Sequence, residues 1–189
     1  MGLFEYISVL TSIIIGLGIA HLLRGVAQLI QHPGRYAVYW VHLVWVGFMF
    51  VQMIFWWWWQ FKLTELPVWH FQHYMFVLIY AVLLYLLCAL LFPSDLDEYS
   101  GYEDYFYSRR AWFFGLQAVA GLVDLYDTWL KGADHFLALG MQYYMTTFLI
   151  TAMSIAAMIT VSRRYHAMFA VAMLTYQFIW VFQYWSTQG

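Results

Sequence analysis

Apolar runs about as long as a membrane is thick follow one another through this chain with almost no polar residues between them. A hydrocarbon core about 30 Å thick is crossed by roughly 20 mostly apolar residues in one helix. Six such stretches can be marked, at 3–30, 36–61, 69–92, 110–130, 134–161 and 164–186. Segments such as Val77-Leu78-Ile79-Tyr80-Ala81-Val82-Leu83-Leu84 lack the apolar–polar alternation of a barrel strand. Helices satisfy their own backbone hydrogen bonds in lipid. The pattern therefore predicts an all-α integral membrane protein, a polytopic bundle of six transmembrane helices with short loops and both termini on the same side. With only ten acidic and eight basic residues in 189, the whole of 1–189 reads as one transmembrane helical domain. The bilayer is the expected surrounding, and no nucleic acid is expected as a partner.

The first stretch has Glu5 near its start in place of a basic n-region, and no small-residue cleavage site follows it. It is expected to be a retained helix rather than a signal peptide. The lone Cys88 lies inside the third stretch and reads as a small packing residue. Six crossings put the links 31–35, 93–109 and 162–163 on one side, together with Arg35, Arg109, Arg110, Arg163 and Arg164; the other side has Lys62 and Lys131. Positive charge stays on the cytoplasmic side. Both termini are thus expected to be extracytoplasmic, in what is read as a prokaryotic cytoplasmic (inner) membrane. Trp56, Trp57, Trp58, Trp59, Trp69, Trp129 and Trp185 fall at the lysine-bearing end, as an interfacial aromatic belt would. The link 93–109, PSDLDEYSGYEDYFYSR, alternates tyrosines with acids. It is expected to lie along the interface or to dock a protein partner.

Polar residues kept at membrane depth are costly and face a bundle interior or a water-filled cavity. In the first stretch Ser12, Gly16 and Ala20 form a small-xxx-small row that predicts close helix approach. Glu5, His21, Arg24 and Gln28 on the same helix exceed what packing alone requires. Gln52, Gln142 and Gln177 fall near mid-membrane, where each needs a partner. Asp124 and Asp127 lie one turn apart, and His70, His73, Asp134, His135 and Glu5 belong to the same end of the bundle. Such a set could ligate a divalent cation through His70, His73, Asp124, Asp127 and His135, or form the entrance of a proton relay. His21 and His42 fall at comparable depth on consecutive helices, as the axial ligands of a haem would.

Catalytic motifs are absent. There is no G-x-x-x-x-G-K-[ST] loop, no H-E-x-x-H helix, no G-x-S-x-G elbow and no C-x-x-C pair. Asp124-x-x-Asp127 has a spacing of three and misses the Asp-x-x-x-Asp pattern of membrane prenyl transferases, and the seven histidines do not form the boxes of membrane desaturases. The chain is not expected to be an enzyme. The expected function is a homo-oligomeric ion channel or transporter, for protons or another cation. It would use Glu5, His21, Arg24, His42, Gln52, His73, Asp124, Asp127, Gln142 and Gln177. The alternatives are a non-catalytic structural or accessory subunit of a larger complex, and a haem- or metal-binding redox protein.

Overall fold

The computed structural model describes residues 3–65 and 69–188, and the side chains of 7–64, 69–134 and 136–183. The side chains of Glu5, His135 and Trp185, singled out above, lie outside that set. The described residues are helical and contain no strand. Helix α1 runs Leu3–Gln31 and α2 runs Trp40–Trp59, continued by a 3-10 segment Gln60–Glu65. Then follow α3 (Phe71–Ala89), α4 (Tyr102–Leu130), the short α5 (Ala133–Ala138), α6 (Gly140–Ile159) and α7 (Arg163–Gln188).

Five of these are long and apolar enough to cross a membrane: Ile7–Gln31, Trp40–Thr64, Phe71–Ala89, Gly140–Ile159 and Arg163–Gln183. The protein is thus a helical membrane protein. Helix α4 is different. It is 29 residues long and carries Glu103, Asp104, Arg109, Arg110, Asp124 and Asp127. Its apolar stretch is interrupted by these charges.

The link 93–109 differs from the loop expected from sequence. Residues from Tyr102 onward are already the first turns of α4, and Tyr102, Tyr105 and Phe106 are buried. Their rings fill the end of the bundle instead of lying on a surface. Gly101 makes this possible. At φ +150°, its added Cβ would come within 3.1 Å of the Ala37 carbonyl oxygen, while the next amide, Tyr102 N–H, donates to that same oxygen at 3.1 Å. The Tyr36 hydroxyl donates to Asp97 Oδ1 at 2.7 Å, and Arg163 Nε lies 2.7 Å from Glu103 Oε1. The links before α2, before α4 and before α7 therefore meet at one end, which is also where the arginines gather.

Helix α2 is the hub, touching α1, α3, α4 and α7, and the most extensive pairings are α4 with α6, α1 with α3 and α2 with α7. Its core face, His42, Trp45, Met49 and Trp56 among others, is the stripe visible in the sequence. Helix α1 lies at the side, against α3 and α2. The packed face of α1 is not the row Ser12–Gly16–Ala20. A Cβ on Gly16 would meet nothing within 4 Å, whereas one on Gly25 would lie 2.2 Å from the Phe92 ring and one on Gly18 would lie 2.4 Å from Met53 Cε. The neighbouring stripe, Gly18 and Gly25, is where helices approach closely. Ser12 instead accepts a hydrogen bond from Trp57 Nε1 at 2.9 Å, and Ala20 is exposed.

Candidate functional site

On α4, Gln117, Gly121, Asp124, Thr128 and Lys131 recur at intervals of three or four and so share one helix face. That face forms one wall of a cavity of about 280 Å³, with α2, α3, α6 and α7 supplying the others. The opposite walls are largely aromatic, from Phe55, Trp56, Trp59, Tyr80, Tyr176 and Trp180. An apolar cavity with a few convergent polar groups is the usual form of a small-molecule site.

Asp124 is the centre of the polar wall. Tyr80 on α3 donates its hydroxyl to Asp124 Oδ1 at 3.1 Å, and Tyr143 on α6 donates to Oδ2 at 2.8 Å. One carboxylate thereby ties three helices. The Tyr143 hydroxyl also lies 2.9 Å from Thr128 Oγ1. Because the phenol hydrogen is directed at the carboxylate, Thr128 is the donor in that second contact. Asp127 is only 1 % exposed. Its Oδ2 lies 2.5 Å from Lys131 Nζ, an i,i+4 ion pair, and also accepts from Gln60 Nε2 at 3.4 Å. Its Oδ1 is buried without a hydrogen-bond partner, as is Gln117 Oε1.

The side-chain amides of Gln177 on α7 and Gln52 on α2 lie 2.9 Å apart, and both residues line the cavity. With its amide turned so that oxygen faces Gln52, Gln177 donates to the Phe48 carbonyl at 3.1 Å. Gln142 does not join them: it is exposed on α6 and absent from the cavity wall. Two turns from Gln52 on α2, Trp45 stands outside the cavity lining. Trp45 packs against Phe48, Phe113, Phe114 and Phe169, with ring centroids 5.2–5.4 Å apart. Trp45, Phe114 and Phe169 are almost wholly buried.

His21 and His42 serve backbone ends. His42 Nε2 lies 2.6 Å from the Leu91 carbonyl and His21 Nε2 lies 3.0 Å from the Phe92 carbonyl, while the Tyr105 hydroxyl donates to the Leu90 carbonyl at 2.9 Å. The last carbonyls of a helix have no partner within it. After α3 three successive ones are satisfied by side chains from three other helices. A carbonyl only accepts, so each Nε2 carries the hydrogen and is not free to bind a haem iron. The haem expectation does not fit this geometry. Burial pushes the Tyr105 phenol up to about 12.

The expected metal set includes His135, whose side chain lies outside the described residues. Among the described residues no three His, Cys, Asp or Glu side chains come together as a metal site would require. The His70 backbone N–H points to His73 Nδ1 at 3.4 Å, at the start of α3. Asp124 and Asp127 are engaged with phenols and a lysine. Neither His70 nor His73 lines the cavity, and Arg24 is exposed on α1. Of the expected polar set, the structure gathers Asp124, Asp127, Gln52 and Gln177 at one site. It leaves His21, Arg24, His42, His73 and Gln142 elsewhere.

Tyr80, Tyr143, Gln117 and Lys131 were not anticipated as site residues. The Asp127–Lys131 spacing of four was a usable signal. Tyrosines inside apolar runs give none, because their rings read as core. Comparison of the chain with protein-family models, with curated proteins and with solved structures finds no match.

Proposed function

We propose that this protein is a membrane carrier that binds a small cation in the cavity beneath Asp124, and that it moves its solute by rearrangement and not through an open pore. One observation carries the reading: a carboxylate on the wall of a cavity built between five helices. Ionisable groups in a membrane bundle are expensive, and where they persist they mark a substrate or ion path. The aromatic layer around Trp45 favours a carrier over a channel, because passage requires those rings to move.

In this reading α4 is the sixth crossing. Its charged stripe is turned into the cavity and shielded from lipid by α2, α3, α6 and α7. The arginine-rich end is cytoplasmic and both termini are extracytoplasmic, supported by the bias of Arg35, Arg109, Arg110, Arg163 and Arg164 to one end. Gly16 and Ala20, open on the row Ser12–Gly16–Ala20, support assembly with a second copy, since small residues let helices approach closely. A prokaryotic inner membrane remains the proposed location.

The test is flux in proteoliposomes under an imposed gradient, with protons followed by an internal pH dye and other cations by tracer. Uptake is expected in the wild type and is expected to fall by at least about tenfold, roughly 1.4 kcal/mol, in Asp124→Asn. The asparagine retains one acceptor oxygen for one of the two phenols, and its NH2 meets the other as a donor to the phenol oxygen. Equal flux in a folded Asp124→Asn protein overturns the reading. A structural subunit is the second reading, favoured by the way Asp124 joins three helices; it predicts lost thermal stability in Asp124→Asn and no flux in either protein.

A further inference from the structure

We infer that the solute is a primary ammonium with an apolar body, an alkylamine or arylalkylamine, whose charged head lies against Asp124 and Asp127. This rests on the carrier reading and specifies its substrate class.

The argument is one of donors and acceptors. Asp124 takes its two hydrogen bonds from neutral phenols, one to each oxygen. An ionised carboxylate offers about four lone-pair positions, so it retains acceptor capacity. Asp127, one turn along the same wall, has Oδ2 committed to Lys131 while Oδ1 is buried with no partner. A buried acceptor without a donor is costly and calls for an explanation. An ammonium group supplies three N–H donors and no acceptor. It matches a pair of carboxylate residues that line one cavity. A metal cation fits less well, since the carboxylates are not accompanied by a third ligating side chain.

The rest of the cavity selects the body. Phe55, Trp59 and Trp180 line the same cavity as the carboxylates, and Trp56 packs edge-on against Tyr80 with centroids 5.2 Å apart. Ring faces attract a nearby cation and cover an apolar chain. The Gln52 and Gln177 amides add polar groups to the same lining. Lys62 also lines the cavity, so an anionic head is the competing chemistry to be tested directly.

The experiment is a titration of the purified full-length protein, read by the tryptophan fluorescence of Trp56, Trp59 and Trp180. Four probes share one body: 2-phenylethylamine, its N-acetyl derivative, its N,N,N-trimethyl derivative and 3-phenylpropionate. Saturable binding is expected for the primary amine and binding at least about tenfold weaker, one factor of ten in Kd, for the other three. Asp124→Asn is expected to weaken the amine by a similar factor, and Asp124→Glu to restore part of it. Equal binding of the acetyl derivative or the propionate overturns the requirement for positive charge, and equal binding of the trimethyl derivative overturns the requirement for N–H donors. These comparisons use the wild type alone, so they decide the matter even if a variant does not fold. If cation flux depends on Asp124 while the four probes bind alike or not at all, the substrate class is wrong and the carrier reading stands. If flux is absent as well, both fall.

Discussion

At the scale of single residues, the decisive contacts are those in which a side chain has no room to be anything else. Gly25 is one. Any Cβ there would overlap the Phe92 ring, with 2.2 Å to Cγ, and Phe92 is itself held by the His42 ring at 5.1 Å and by Tyr102 at 5.8 Å. The ring cannot retreat. Gly25→Leu is expected to destabilise the protein by on the order of 1–3 kcal/mol through overpacking, seen as a lower thermal midpoint in detergent. Gly16→Leu, facing open space, is expected to leave that midpoint unchanged in the monomer. The sequence shows both glycines equally. It distinguishes two stripes on α1 but not which stripe meets a neighbour, because both are small and both have helical spacing. Asp124 and Asp127 were legible as candidates because a carboxylate in an apolar run is conspicuous. Their partners Tyr80 and Tyr143 were not, because a phenol's polar end is hidden in an otherwise apolar composition.

At the scale of elements, the end of α3 shows how helices are fastened without covalent links. Leu90, Leu91 and Phe92 offer carbonyls that Pro93, which has no N–H and cannot continue the helix, leaves to outside donors. Tyr105 from α4, His42 from α2 and His21 from α1 take one each. The His42 ring also stacks on Tyr102 at 4.9 Å. His42→Phe keeps the stacking and removes the donor. It is expected to cost about 1–3 kcal/mol, the penalty for a buried acceptor left unpaired, and to speed hydrogen exchange of amides at the start of α4, measured by mass spectrometry. Pro93 announced the end of α3 in the sequence. The capping was not readable there, because it depends on three residues distant in the chain arriving at the same place. Helix α4 was placed too late for a related reason. Its first turns are tyrosines and acids, a composition suited to a surface segment, and only the burial of Tyr102, Tyr105 and Phe106 makes them part of the bundle.

For the whole molecule, hydropathy alone gave the class and the approximate helix positions, since the solvent of each apolar run is fixed by its length and composition. Which helix is the hub was not evident. Polar residues drew attention to α1, yet α2 makes the wider set of contacts because its tryptophans and methionines fill the centre. The cavity and its closure are collective properties of five helices. Trp45→Ala is expected to remove a layer of that closure. It should cost about 3–5 kcal/mol by the usual penalty for a deleted large core side chain, and liposomes bearing the variant should leak protons faster than those bearing wild type.

The Trp45 layer also sets a limit on speed. Its rings come from α2, α4 and α7 and interlock edge to face, so no one of them can swing aside while the others stay put. On the carrier reading, translocation would be a concerted event with a steep temperature dependence, and turnover is expected to fall away sharply on cooling even at full occupancy. The layer that keeps the bilayer from leaking would then be the same thing that makes each cycle slow.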